Sequence, residues 1–329
     1  MRVKFLTGTI IGLSAVLTLS ACGSESGSSS GGGSAGEPKI VMLLNDQFDP
    51  YYLTLVDGAE KAAKDLGIDF SWQAPTTLDV NSQTQLLQSV AATKPDGIIM
   101  SALDADALSA PMKQIVDSGI PIVTVDADVN DKSARLGTVR SDGAATGTAA
   151  AEVMNDLTGG QGDVGYVGYT PGIQSVDIRL KGWQDGLESF AGLDNVGEQY
   201  AGADTSENVA KASALISKDS DIKAIFASWT NAVIGTAQAV KQSGKDIAVV
   251  GVDAAPDQVD LLKAGDVAAL VAQKPAEMGK IAVEELSGFI KDGTEPKSET
   301  LLDSVVITQE NMDDPEISQY FYLAAEKKE

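Results

Sequence analysis

The chain has 329 residues, with 47 acidic side chains against 24 basic ones and a formal charge of −23. That balance argues against nucleic acid as a partner and against peripheral binding to anionic lipid. Histidine is absent and cysteine occurs once, which removes the commonest general base and metal ligand and leaves no disulfide to form within the chain.

Arg2 and Lys4 precede an uncharged stretch over 5–21. A positive start followed by an apolar run reads as a secretion signal, residues 1–21. The run is too short and too interrupted by Thr, Ser and Gly for a membrane span. The sequence Leu19-Ser20-Ala21-Cys22 resembles the lipobox of bacterial lipoproteins. That resemblance implies cleavage before Cys22 and diacylation of its thiol, and two acyl chains anchor stably where one is marginal. The plainer alternative is an ordinary signal cut nearby, leaving a spare thiol. Residues 22–38 then read as a lipidated cysteine and a flexible tether. Six Gly and six Ser fall in 23–37, giving a coil with a reach of roughly 20 Å. Without the two leader cations the charge moves from −23 to −25, which fits a solvated protein outside the cell.

From Lys39 onward, strand-like and helix-like segments alternate. Residues 39–45 (KIVMLLN) are a continuous apolar run ending in a polar residue, as in a strand buried on both faces of a parallel sheet. Residues 51–67 have helical periodicity and stop at Gly67. A strand over 68–72, a helix over 79–92, a strand over 95–101, a helix over 104–118 and a strand over 120–126 follow. After a connecting segment near 134–141 the pattern restarts with a helix over 143–157 and a strand over 163–169. Next come a helix over 174–190, a strand over 196–202, a helix over 206–217, a strand over 222–228, a helix over 230–243 and a strand over 247–253. A short helix near 256–263, a strand over 267–273, a helix over 276–291 and a final strand near 301–308 complete the series. The acidic tail over 309–329 carries no interpretable motif. The alternation predicts the α/β class, with two doubly wound lobes joined near residue 141.

Such sheets bind ligands at the carboxyl ends of their strands. Those ends carry Asn45, Ser101, Asp126, Asp204, Ser228 with Trp229, and Asp253. Helix capping is the plain alternative for each. It suits Asp104 and Ser206 but suits Asp126 and Asp253 poorly, and for those two the sequence leaves both readings open. GQGDVG (160–165) matches a dinucleotide fingerprint, but a helix precedes it and a strand follows, so it reads as a turn. DADVND (126–131) has oxygen ligands at calcium-loop spacing, but its sixth position is Asp131 rather than Gly and its twelfth is Gly137 rather than Glu. No catalytic motif, metal site or cofactor is expected. Tyr51 and Trp229 each stand where a strand end meets a helix. Core packing is the plain reading of an aromatic. Ring faces with carboxylates around them also suit a small polyhydroxylated ligand.

Taken together, NDQFDPYYLTLVDGAEKAAKDLG, PDGIIMSALDADAL, SGIPIVTVDAD, IRLKGWQDGL, IFASWTNAVIGTAQAVKQSGK and VVGVDAAPDQ resemble the solute-binding proteins of bacterial sugar importers, the ribose-binding-like family of type I periplasmic binding proteins. The similarity covers nearly all of 39–308. It implies two Rossmann-like lobes joined by a three-strand hinge near 141, 273 and 302, with an N-terminal lobe of 39–141 plus 274–302. The C-terminal lobe and tail would be 142–273 plus 303–329. On matching positions, Asn45, Asp49, Tyr51, Tyr52, Ser101 and Asp126 would come from the first lobe. The second would supply Asp177, Arg179, Trp229, Asn231 and Asp253, with Gln273 at a hinge. The aromatics would sandwich a sugar ring, and Asp126, Asp253 and Asn231 would fix hydroxyls. Arg179 could equally be structural, paired with a neighbouring acid. Ribose binders of this kind carry arginines where this chain has Ala127 and Asp177, and asparagine where it has Trp229. Four aspartates (49, 126, 177, 253) facing one arginine would repel an anion, so a neutral monosaccharide or sugar alcohol is expected. The lactose-repressor family shares the lobes but begins with a DNA-binding helix-turn-helix where this chain has its signal and tether. The resemblance implies a monomeric, lipid-anchored, non-enzymatic receptor outside the cytoplasm that delivers sugar to the permease and ATPase subunits of an ABC importer. A sensory receptor for a sugar or quorum signal, coupled to a membrane kinase, is the alternative.

Overall fold

Apolar runs bounded by polar loop residues set the strands of this protein, and each helix between them buries one face. The computed structural model describes residues 36–171 and 174–324. The expected signal 1–21, Cys22, the tether up to residue 35 and residues 325–329 lie outside the described residues. In the first half, β1 (Lys39–Leu43), β2 (Asp69–Gln73), β3 (Gly97–Met100), β4 (Ile122–Val125) and β5 (Gly137–Ser141) alternate with α1 (Pro50–Leu66), α2 (Val80–Ala92) and α3 (Ser109–Asp117). The second half repeats the scheme. It contains α4 (Gly143–Thr158), β6 (Gly162–Tyr169), α5 (Gln174–Leu187), β7 (Leu193–Ala201), α6 (Thr205–Lys218), β8 (Ile222–Ala227), α7 (Thr230–Ser243), β9 (Ala248–Val252), α8 (Pro256–Ala264) and β10 (Ala269–Ala272). The chain ends with α9 (Pro275–Asp292), β11 (Thr300–Leu302), β12 (Val305–Thr308) and α10 (Pro315–Ser318).

Two six-stranded sheets result, ordered β11-β5-β4-β3-β1-β2 and β12-β10-β9-β8-β6-β7. All pairings are parallel except β12 against β10. The orders are the same when the halves are superposed strand for strand, apart from the direction of the last strand. Strands β1, β3 and β4 are buried almost throughout, as a sheet covered by helices on both faces requires. Each fully buried Ile or Leu there contributes roughly 1.5–3 kcal/mol. In both sheets the order reverses beside the first strand, between β1 and β3 and between β6 and β8. Open α/β sheets bind ligands at the carboxyl ends beside such a reversal.

Close helix contacts position the residues at those ends. Helix α1 starts on the Asp49 cap with Pro50 in its first turn, which fixes Tyr51 and Tyr52 just past the loop. It lies against α9 so closely that a Cβ on Gly58 would stand 1.9 Å from the Ala276 carbonyl oxygen. The second half does the same with α4 and α5, where a Cβ on Gly147 would come 2.1 Å from the Arg179 carbonyl oxygen. Gly147→Ala therefore forces α5, with Arg179, away from α4. The expected cost is ~2 kcal/mol in urea denaturation; an unchanged midpoint would show that the helices separate freely.

The chain changes sheets after β5, after β10 and between β11 and β12. The single strand expected near 301–308 is thus two strands in different sheets, broken at Asp303 and Ser304 because the segment has to cross. At these crossings the Asp142 N–H donates to the Leu302 carbonyl (2.9 Å), and the Thr146 and Ser304 hydroxyls share a hydrogen bond (2.6 Å). Two further expectations change. The helix expected from 104 begins at Ser109, because the Asp104 carboxylate closes a turn on the N–H groups of Asp106 (3.0 Å) and Ala107 (2.8 Å). Asp204, not Ser206, caps α6, accepting from the Ser206 and Glu207 N–H groups, so capping accounts for Asp204. The tail beyond β12 returns across the molecule: the Tyr322 N–H donates to the Ala254 carbonyl (3.0 Å) and the Leu323 N–H to the Thr54 hydroxyl on α1 (2.7 Å).

Candidate functional site

In the first sheet the expected residues form one hydrogen-bonded cluster at the carboxyl ends of β1, β3 and β4. Asp126 follows β4 with φ +65°, in the left-handed region, and its N–H donates to the Val139 carbonyl (2.9 Å). Its carboxylate accepts from the hydroxyls of Tyr51 (3.0 Å), Tyr52 (2.9 Å) and Ser101 (3.3 Å). Asn45 lies beside them, its amide donating to Tyr52 (2.8 Å) and Ser101 (3.1 Å). Gln83, fully buried on α2, holds this set from behind. Its amide donates to Asn45 Oδ1 (2.9 Å) and the Ser101 carbonyl (2.8 Å) and accepts from the Leu103 N–H (2.9 Å). Burial, then the charge of Asp126, pushes the Tyr51 and Tyr52 hydroxyls well above their ordinary range, so both remain donors. Burial also raises the Asp126 carboxyl, against the lowering effect of those same hydroxyls.

The second sheet repeats the device. Asp253 follows β9 with φ +79°, and its N–H donates to the Val271 carbonyl (3.2 Å). Its Oδ1 accepts from the Gln273 amide (2.6 Å) and the Tyr322 hydroxyl (3.1 Å), and Oδ2 from the Thr230 hydroxyl (3.3 Å). Neither Asp126 nor Asp253 caps a helix; Ala255 occupies the cap position of α8. A left-handed non-glycine residue is strained by about 1 kcal/mol or more and persists where surroundings over-determine it. Two aspartates strained alike at equivalent strand ends favour the functional reading over the capping one. Gln273 links the halves, since its amide oxygen accepts from Ser141 at the end of β5 (2.7 Å).

The remaining expected residues are less uniform. Trp229 occupies the cap position of α7 without a capping bond. Its ring meets Tyr169, at the end of β6, edge to face with centroids 4.9 Å apart. Tyr51 instead packs edge-on against Tyr52 (5.3 Å) and Tyr322 (5.7 Å). The indole Nε1 of Trp229 and the Nε of Arg179 are buried without an acceptor among the described residues. Arg179 itself is buried and donates to the Ser228 carbonyl. Asn231 spends its amide donor on the Ala203 carbonyl (2.8 Å), which pins the loop before α6. Asp177 lies exposed in the first turn of α5 and raises the Tyr166 hydroxyl slightly. Burial is the main cause of that hydroxyl's rise to about 12. Gln83, Tyr169, Thr230 and Tyr322 contact the expected residues without having been read from the sequence as their partners. Tyr169 alone carried a signal, as the last residue of an apolar strand.

Carboxylates from the two sheets sense one another. Asp49 has its carboxyl raised to about 6, first because surrounding protein atoms displace part of its hydration, although the side chain keeps an exposed edge. Against the lowering effect of the bond from the Tyr51 N–H, the charges of Asp253, Asp46 and Asp126 then raise it further. Asp126 is raised further by Asp253. The folded protein thus holds the Asp49 proton more tightly than the unfolded chain does, and this group's contribution to stability declines as pH rises from 3.8 to about 6. Asp49→Asn keeps an acceptor for the Tyr51 N–H (2.9 Å) and removes that charge. Its stability relative to wild type is expected to rise over the same pH window by on the order of 1 kcal/mol, after allowance for solvent screening of this exposed carboxyl. Thermal melts at pH 4 to 7 check this; a difference that stays flat would remove the charge from the account.

Carboxylates, phenols and an indole thus stand at the carboxyl ends of the strands of the two sheets. A family model for a periplasmic binding protein domain matches residues 40–294. The chain belongs to the periplasmic binding protein family. Among relatives of this periplasmic binding protein, the D-allose-binding periplasmic protein of Escherichia coli is 28% identical over 321 residues, covering 93% of this chain and 98% of its own. The ribose import binding protein of Bacillus subtilis is 28% identical over 259 residues, 78% of this chain and 82% of its own. A solved ABC transporter solute-binding protein from Agrobacterium vitis, bound with α-D-tagatopyranose, superposes with a TM-score of 0.81 at 27% identity over 87% of this chain and 100% of its own. One from Agrobacterium radiobacter in complex with D-arabinose gives 0.77 at 28% identity over 87% and 99%. The type I periplasmic binding protein fold expected from the sequence is the fold observed. Among the described residues no helix is long and apolar enough to cross a membrane, and no cluster of acids could hold a metal ion.

Proposed function

We propose that this periplasmic binding protein captures a neutral monosaccharide or sugar alcohol between its lobes and delivers it to the permease and ATPase subunits of an ABC importer. The observation that carries this reading is the matched pair Asp126 and Asp253, each held in a left-handed conformation at the end of an equivalent strand. A carboxylate accepts charge-assisted bonds from ligand hydroxyls, and one from each lobe can grip opposite ends of one ring. Asp49 senses the charges of both aspartates and Arg179 is the cation of the expected set, so an anionic ligand meets net repulsion. Trp229 and Tyr169 offer ring faces to the C–H side of a sugar, and the indole N–H, without an acceptor among the described residues, offers a donor.

In this reading the lobes are 39–141 with 274–302 and 142–273 with 303–329. Ligand favours the closed arrangement because only closure lets both lobes contact it. The hinge lies near 141, 273 and 302, where Ser141 and Gln273 already bond across the crossing (2.7 Å). Signal cleavage and diacylation at Cys22 would hold the monomeric receptor to the cell membrane on its tether. The relatives that import ribose or bind allose support transport rather than sensing or catalysis. The test is calorimetry of the purified mature protein against pentoses, hexoses and alditols. Micromolar or tighter binding of at least one is expected; tight binding of a sugar phosphate with no response to neutral sugars would overturn the reading.

A further inference from the structure

Asp126 is held by two phenols from its own lobe, Tyr51 (3.0 Å) and Tyr52 (2.9 Å), which begin the helix beside it. The loop after β6 supplies no such pair for Asp253. Its phenol comes from the far end of the chain. Tyr322 is buried, donates to Asp253 Oδ1 (3.1 Å) and accepts from the Gln273 backbone N–H (3.1 Å). We propose that Tyr322 is a positioning residue of the ligand site, through which the C-terminal tail fixes the Asp253 carboxylate for the ligand's hydroxyls.

The bonds run in one direction, from the Gln273 N–H to the Tyr322 oxygen and from its hydroxyl to Asp253, so each polarises the next. Gln273 adds its amide to Asp253 Oδ1 (2.6 Å), while among the described residues Oδ2 has only the longer contact to Thr230 (3.3 Å). That asymmetry leaves Oδ2 the oxygen with more accepting capacity for a ligand. The tail is in turn anchored on the first lobe, where the Leu323 N–H meets the Thr54 hydroxyl (2.7 Å), three residues beyond Tyr51 on α1. Tyr322 also touches Tyr51 edge-on (5.7 Å), so phenols serving both aspartates share one cluster.

The inference rests on the sugar-binding reading above, and the experiment separates the two. Tyr322→Phe keeps the ring and removes the hydroxyl; Thr54→Val removes the tail's bond to α1 while the Tyr322 N–H bond to the Ala254 carbonyl (3.0 Å) still holds the tail beside Asp253. On full-length protein, calorimetry with the tightest neutral monosaccharide of the panel is expected to show Tyr322→Phe about tenfold weaker than wild type. Thr54→Val should bind within about twofold, and both should melt within about 3 °C of wild type. Equal affinities for Tyr322→Phe and wild type, or equal losses in the two variants, would overturn the proposal. Should wild type bind no neutral sugar, the sugar reading fails and the carboxyl carbon resonance of Asp253 in the ligand-free protein decides. A shift in Tyr322→Phe and none in Thr54→Val supports the positioning role; an unmoved resonance in Tyr322→Phe overturns it.

Discussion

Asp126→Asn is expected to weaken sugar binding about a hundredfold while leaving the fold at least as stable as wild type at pH 7. Asparagine tolerates the left-handed backbone of this position (φ +65°), so the bend after β4 survives. What changes is the acceptor. The carboxylate serves Tyr51, Tyr52 and Ser101 together. In the proposed site the ligand's hydroxyls would add to that load, and a bond to a charged group is worth about 1.5–3 kcal/mol. An amide keeps one oxygen, turns the other position into a donor and clashes with a phenol that also donates. Against that loss, burial and the charge of Asp253 already disfavour the ionised Asp126, so neutralising it relieves repulsion. Function and stability therefore move in opposite directions, as expected where a site stores strain and charge for its ligand. Calorimetry paired with thermal melts reads both. Affinity within threefold of wild type would remove Asp126 from the site.

The halves of the site were legible to different degrees, for physical reasons. Asn45, Ser101, Asp126 and Asp253 each end an apolar run, and a parallel sheet brings its strand ends to one edge whatever the loops do. Periodicity alone put the first three at the end of one sheet and Asp253 at the end of the other; that they serve one site was an implication of the family resemblance. Gln83 gave no such signal: it lies mid-helix on α2, and only the packing of that helix buries its amide behind Asn45 (2.9 Å). Asn231 had the right residue type in the right place, yet a backbone carbonyl 2.8 Å away claims its donor. Tyr322 was hidden furthest, because a tail without periodicity reveals its partners only after the chain has crossed between sheets three times. The start of α3 was missed for a local reason. A carboxylate such as Asp104 can close a turn on the next N–H groups as readily as it caps a helix.

The ring pair of Tyr169 and Trp229 in the proposed site gives the second large effect. Trp229→Ala is expected to reduce affinity by about a hundredfold, since a buried indole face against a sugar is worth on the order of 3 kcal/mol once its area and its contact with Tyr169 are lost. The fold should hold, because Trp229 caps α7 through its backbone alone: the Val233 N–H bonds to the Trp229 carbonyl (3.0 Å), and no side-chain bond is lost. Trp229→Phe separates the two contributions. It keeps an apolar face and removes the Nε1–H, which has no acceptor among the described residues and so is free for a ligand oxygen. A loss of about five- to tenfold is expected for that variant if the ligand supplies the acceptor. The readout is intrinsic fluorescence, since the chain has three tryptophans. Trp183 is wholly buried in the second lobe between Tyr166 and α4, and Trp72 lies on β2 at the far edge of the first sheet. A ligand-induced emission change in wild type that vanishes in Trp229→Ala locates the ring at the ligand. Persistence of that change at wild-type affinity would mean that the sugar sits elsewhere, and the edge-to-face pair with Tyr169 would then be packing alone.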